Sequence, residues 1–188
     1  LRLVLPAGLG AAEGHLARLE RELRGLEARL GGLAQLALPV EARAPERVDL
    51  DALLADALAG VSFASGVRLR RVAGPAPALA DAGQLRQALR HVLRAAAAAM
   101  PAGGELALRT GRRGEAVVLE VADTGAAERD GLDLALAERL VAAQGGRLEH
   151  VAVAGRGSLC RITLPVAEGP PETAGASATV FDTPGGGH

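Results

Sequence analysis

Residues 121–135 read VADTGAAERDGLDLA. The stretch begins like half of a nucleotide site, with an alternating apolar run leading into Asp123-Thr124-Gly125. A carboxylate and a residue without a side chain then stand together at the end of a strand. The same three residues taken alone also make an ordinary turn. Gly131-Leu132 opens a helical pattern, the kind of start where backbone N–H groups and the helix dipole favour an anion such as phosphate. Between and after these, where a phosphate loop would carry glycines, stand Ala126, Ala127, Glu128 and Asp133. Asp130 and Asp133 are good first-turn helix residues in their own right. The stretch is thus either a working pocket or a dismantled one. Other chemistry is sparse. No two His have metal-ligand spacing, no Ser-His-Asp or Cys-His set is suggested, and Cys160 reads as a small core residue in a strand. The expectation is no metal site and no catalytic residue.

The elements that must position this stretch follow from periodicity. Residues 1–14 are apolar but interrupted by Pro6 and three glycines, and read as irregular. Over 15–38, Leu16, Leu19, Leu23, Leu26, Leu30 and Leu33 recur at steps of three and four, the seam of a coiled coil or long bundle. Glu20 and Arg24 illustrate the i,i+4 pairs on its flanks. Gly25, Gly31 and Gly32 each cost about 1 kcal/mol against Ala, so this helix needs partners. Its regular spacing favours a second chain over its own domain. Residues 39–47 read as a linker. A helix is predicted over about 50–59, a strand over 67–72, and a loop or edge segment over GPAPALAD. A second helix spans 81–100 with Leu85, Leu89, Val92 and Ala96 on one face. Two strands joined by an Arg-Gly turn follow, then a helix over 130–144 ended by Gly145-Gly146. A last strand pair runs to about residue 167, and the Gly/Pro/Ser/Thr-rich tail 168–188 reads as disordered. The predicted fold class is α+β: a two-layer α/β sandwich, with a mixed, mainly antiparallel sheet and helices on one face, preceded by a long helix.

Composition bounds the function. All 21 basic residues are Arg, and the chain has no Asn, no Trp and no Tyr, which reads as a GC-rich genome. The net charge of −1 gives no case for nucleic acid or an anionic membrane. No apolar run approaches the roughly 18–20 residues of a spanning helix. One cysteine excludes an intrachain disulfide. The expected location is the cytoplasm. The chain opens on Leu1 rather than Met, which reads as a segment of a longer protein.

Residues 46–166 resemble the ATP-binding domain shared by sensor histidine kinases, heat-shock-90 chaperones and gyrases. Four stretches carry the resemblance: DAGQLRQALRHVLRAAAAAMPAGGELALRT, VVLEVADTG, GLDLALAERLVAAQGGRLE and GRGSLCRITLP. The leucine-seamed helix followed by a proline linker resembles the last helix of a kinase dimerisation domain, which points to the histidine-kinase branch. The domain division is then 1–14, 15–38 for the dimerisation-type helix, 39–47 for the linker, 48–167 for the ATPase-like domain and 168–188 for the tail.

What the resemblance implies must be taken residue by residue. Asp123 matches the carboxylate that accepts from the adenine amine, Gly125 would allow close approach of the base, and Ser158 matches the small hydroxyl residue supporting that contact. The family holds Mg²⁺ through an Asn on the first pocket helix; the matching residue is Ala95, which has no oxygen for a hard cation. His91 and Ala98, one turn to either side, replace further polar positions. Gly131 is retained, but the next required glycine is Asp133, whose carboxylate repels phosphate. The lid between the glycine boxes is cut to about AAERD, leaving little to cover a γ-phosphate. The family's acceptor histidine lies on the first dimerisation helix; His15 is the candidate here, although its context HLARLER resembles the second.

The resemblance therefore implies a degenerate histidine-kinase-like protein of two-component signalling: a pseudokinase or phosphotransfer scaffold with impaired Mg-ATP binding. No resident cofactor is expected, and residual ATP or ADP binding would rest on the adenine end. The implied partners are a second copy of the chain and a response regulator or partner kinase. The alternatives are an active kinase catalytic region that binds ATP and phosphorylates a histidine, and a structural dimer module that binds a protein partner.

Overall fold

The computed structural model describes residues 7–40, 43–126, 131–153 and 155–167. The first element is a long helix, α1 (Ala7–Ala37). It starts earlier than the sequence suggests: residues 7–14, read as irregular, are helical. No proline follows Pro6 until Pro39, so the glycines at 8, 10 and 14 weaken the turns without removing a backbone donor. The six seam leucines are each more than half exposed, and Arg18–Glu22 and Arg24–Glu20 pair along the flanks at 2.9 and 3.8 Å. The apolar stripe is therefore real and is left exposed among the described residues.

The rest of the chain forms β1 (Glu46–Asp49), α2 (Leu50–Ala59), β2 (Val67–Val72), β3 (Pro77–Ala80), α3 (Ala82–Ala99), β4 (Gly104–Arg113), β5 (Ala116–Asp123), α4 (Gly131–Ala142), β6 (Arg147–Val153) and β7 (Gly157–Pro165). Five strands make one sheet in the order β2-β4-β5-β7-β6. Only β2 runs parallel to its neighbour; β4–β5, β5–β7 and β6–β7 are antiparallel. Period-two alternation is clearest in β7 and recurs over parts of β4 and β5. Val117, Leu119 and Val121 of β5, Leu106 and Leu108 of β4, and Cys160, Ile162 and Leu164 of β7 are buried on the helix side. Leu50, Leu54, Leu85, Leu89 and Leu93 of α2 and α3 complete the same core.

Local chemistry sets the helix ends. Asp49 accepts from the Asp51 N–H at 2.9 Å to cap α2. Asp81 accepts from the N–H groups of Gly83 and Gln84 at 2.8 and 3.1 Å to cap α3. After α4, the Gly146 N–H reaches the Val141 carbonyl at 3.1 Å and Gly145 that of Ala142 at 3.0 Å, a Schellman-type stop. The fold class is the expected one, an α+β sandwich behind a long helix.

Two assignments change. Glu46 and Arg47, placed in the linker, are the first half of β1, and the GPAPALAD segment supplies β3. These two short strands pair antiparallel, with Arg47 opposite Leu79, in a sheet of their own. Each is four residues long and neither alternates enough to stand out alone; they become strands because they meet. Residues 1–6, the tail 168–188 and all of the shortened lid except Ala126 lie outside the described residues.

Candidate functional site

The candidate site is built on the ends of β5 and β7 and on the facing sides of α3 and α4. At the sheet end, register brings Asp123 and Ser158 opposite each other across β5 and β7. Asp123 is 4% exposed and Ser158 is 7% exposed. The Ser158 hydroxyl donates to Asp123 Oδ2 at 3.0 Å, and the Gly125 N–H donates to Oδ1 at 2.9 Å. Both carboxylate oxygens are thus held in place.

The turn after Asp123 is fastened on two sides. Thr124 exchanges two bonds with Glu105 of β4, its N–H donating at 3.1 Å and its Oγ1 accepting at 2.9 Å. The Ala126 N–H donates to the Ala99 carbonyl at 3.0 Å, tying the loop to the end of α3. A Cβ on Gly125 would lie 2.6 Å from both Cβ and O of Ala99. Gly157, at φ 91°, passes so close to the Asp123 carbonyl that a Cβ there would fall at 1.8 Å. The two glycines answer first to packing of the protein's own backbone against Asp123-Thr124.

The helix end carries a different group. Asp133, in the first turn of α4, places Oδ1 2.7 Å from His91 Nδ1 on α3. His91 is 8% exposed. Arg94, one turn along α3, brings Nε to 3.8 Å from Asp133 Oδ2, an ion pair beyond hydrogen-bond range. Ala95 is buried at 4%, whereas Ala98 is exposed, so the strip at 91, 95 and 98 turns out of the interior at its last member. The Asp133 carboxylate sits in the first turn of α4, at its positive dipole end, and it is directed to His91. An anion approaching this turn meets a carboxylate already there.

The donor set does not suit a hard divalent cation. Ala95 offers no oxygen, and Asp133 is engaged by His91 and Arg94. Among the described residues no group of three His, Cys, Asp or Glu is close enough to share an ion. His15 lies on the exposed surface of α1, eight residues into the helix rather than at its start. Cys160 is buried in β7, as a core residue.

No protein-family model and no curated protein matches the sequence. Solved structures do. The Acinetobacter baumannii histidine kinase AdeS superimposes with a TM-score of 0.63 at 17% identity, over 81% of this chain and 84% of that one. The mycobacterial sensor histidine kinase MprB gives a TM-score of 0.58 at 25% identity, over 64% of this chain and 97% of that one. The fold is that of a histidine-kinase catalytic domain. Full-length ShkA in complex with AMPPNP covers the most of this chain among these three, 89%, at TM-score 0.66 and 25% identity, although this chain spans only 41% of its length. The likeness to AdeS, at its low identity, speaks to the fold alone. Set in a histidine-kinase frame, Asp123 and Ser158 stand together at one end of the site, and His91 and Asp133 close on each other at the other.

Two contacts had no signal in the sequence. Arg139 of α4 donates to the carbonyls of Gln35, Leu36 and Leu38, and Leu132 covers Gly32. Nothing in the spacing of α4 sets Arg139 apart from any other polar helix position.

Proposed function

We propose that this chain is a degenerate histidine-kinase-like protein of two-component signalling, a scaffold in which the phosphate end of the nucleotide site is filled from within. The observation that carries the reading is the 2.7 Å contact between His91 and Asp133. It joins α3 to α4 at the turn where a triphosphate would need free N–H groups and small residues. Phosphoryl transfer depends on positioning and on neutralising developing charge. Here Asp133 adds negative charge, and Ala95 supplies no ligand. His91 and Arg94 are the nearby cationic or hydrogen-bonding groups, and both face Asp133.

The adenine end supports a narrower residual role. Asp123, fixed by Ser158 and Gly125, is the carboxylate an exocyclic amine would meet, so any nucleotide contact would be dominated by the base. The exposed leucine seam of α1 supports homodimerisation, and a receiver protein or partner kinase is the implied second partner, in the cytoplasm. Among the described residues no helix is long and apolar enough to cross a membrane.

Calorimetric titration with ATP, ADP and AMPPNP, with and without Mg²⁺, tests the reading. The expected result is no Mg-dependent binding. Saturable Mg-ATP binding at low micromolar affinity would overturn it in favour of an active catalytic region. That second reading is favoured by the intact Asp123–Ser158 pair, and by ShkA holding AMPPNP on a similar frame. It requires phosphate transfer from ATP to a histidine in trans.

A further inference from the structure

We infer that the outer face of the five-stranded sheet, turned away from the helices, is a docking surface for a segment of a partner protein. That segment carries an apolar side chain at one end and carboxylates at the other. The face is defined by alternation: Ala107 stands between buried Leu106 and Leu108, and Leu159 between buried Ser158 and Cys160. Register lays its residues in rows that cross the strands. One row is Arg70, Ala107, Ala122, Leu159 and Val151, in the order β2-β4-β5-β7-β6. The next, two residues along each strand, is Val72, Arg109, Glu120, Arg161 and Glu149. The first row is low in its middle, because its two alanines lie beside the longer side chains of the second.

The two ends of the low row differ in chemistry. At the β6 end Val151 is 58% exposed. With Leu159 it lines an open cavity of about 410 Å³, bordered by Arg147, Glu149 and Arg161. A partly covered apolar hollow of this kind suits one anchoring side chain. The β2 end is basic, because charge on this face is answered unevenly. Arg68 meets Glu105 at 2.7 Å, Arg161 meets Glu120 at 2.9 Å and Arg147 meets Glu149 at 3.1 Å. All three glutamates are thereby taken. Arg70, Arg109 and Arg113 face the same side and have no carboxylate within ion-pair distance among the described residues. Arg70 also guards the edge strand against pairing with another sheet. Arg109 and Arg113 lie one strand in, where there is no edge to guard. The whole chain carries a net charge of −1, so these guanidinium groups are a local excess.

The mixture selects the class of partner. A phosphate backbone or an anionic lipid surface would meet the three glutamates as well, and has nothing to place against Val151 and Leu159. A protein segment brings carboxylates, which guanidinium groups hold in bidentate pairs, together with an apolar anchor. Val151 and Arg70 stand four strand spacings apart, roughly 19 Å. An extended chain covers that distance in about six residues. The surface lies on the other side of the sheet from α3 and α4 and needs no nucleotide, so its test is independent of the reading of the phosphate end.

The test selects the segment directly. Random dodecapeptides displayed on phage are panned on the full chain, and the enriched sequences are read. The expected result is enrichment of peptides with two or more Asp or Glu and an aromatic or branched apolar residue about six positions away. A synthetic peptide of the enriched sequence is then followed by fluorescence anisotropy. Arg70→Glu/Arg109→Glu and, separately, Val151→Asp should each weaken it about tenfold or more. Arg18→Glu/Arg24→Glu makes the same charge change on α1 and should leave the affinity unchanged. Should the charge reversal loosen the sheet, as amide exchange in β4 and β7 reports, Arg70→Gln/Arg109→Gln carries the comparison. Vesicles of phosphatidylglycerol and a short duplex DNA are the counter-probes. No enrichment, enrichment without carboxylates, or an affinity unchanged in the surface variants would overturn the proposal. So would binding of vesicles or duplex that the double variant abolishes while no peptide is enriched, which would make the face a phosphate surface.

Discussion

At the scale of single residues, the site is two buried polar pairs with different consequences. Ser158 and Asp123 form one, at the end of β5 and β7. Ser158→Ala removes the donor and leaves Asp123 Oδ2 in the interior without it, a loss of about 1–3 kcal/mol. Chemical denaturation should show it as a lower midpoint with an unchanged slope. His91 and Asp133 form the other, between α3 and α4. His91→Ala should cost a comparable amount, about 1–3 kcal/mol, because Asp133 loses its closest partner. Gly125→Ala acts through space rather than polarity. The added methyl would meet Ala99 at 2.6 Å, and since one of the opposing atoms is backbone, relief requires a shift of the loop or of α3. A destabilisation of about 1–3 kcal/mol is expected. A melting temperature equal to the parent's would show that the end of α3 yields freely.

At the scale of elements, α1 is the informative one. Six leucines stand on one stripe, each more than half exposed, on a helix whose flanks are already ion-paired. An apolar stripe of that length is rarely left to water. If it closes on a second copy, Leu23→Ala removes one leucine from each chain, about 3 kcal/mol in total at the low end of leucine burial. That weakens the dimer about a hundredfold. Sedimentation across a concentration series reads this directly; a monomer at all concentrations for the parent protein would remove the stripe from consideration as a homodimer seam. The same helix offers its last carbonyls to Arg139, so its C-terminal turn lies against α4 while the leucine stripe is exposed.

At the scale of the whole molecule, the prediction concerns ligand linkage. A catalytic domain at one hundred times its dissociation constant for Mg-ATP gains about 2.7 kcal/mol. For a chain of this size that raises the melting temperature by about 5–10 °C. If Asp133 and His91 fill the phosphate end as proposed, the protein shows no such shift at millimolar Mg-ATP. A shift of several degrees that disappears on removing Mg²⁺ would return it to the active kinases.

Much of this was legible without coordinates. The helices and the strands of the main sheet follow from period 3.6 and period 2, because backbone geometry alone decides which residues share a face. Gly145-Gly146 announced the end of α4, since that stop is made by contacts within a few residues; the caps Asp49 and Asp81 emerged only with the structure. The Asp123–Ser158 pair was reached through the resemblance of quoted stretches to a known fold. What only the tertiary structure decided lies at long sequence separation. β1 and β3 became strands by meeting each other, Asp133 found His91 across 42 residues, and Arg139 reached the end of α1 across more than a hundred. Spacing carries no record of such contacts, because each depends on where two already formed elements pack and how they are rotated against one another. The sequence by itself determined the frame and the residues that stand at the ends of β5 and β7 and in the first turn of α4. The packing of α4 between α1 and α3 decided that one of those residues turns inward to a histidine, and that a neighbouring arginine holds the long helix.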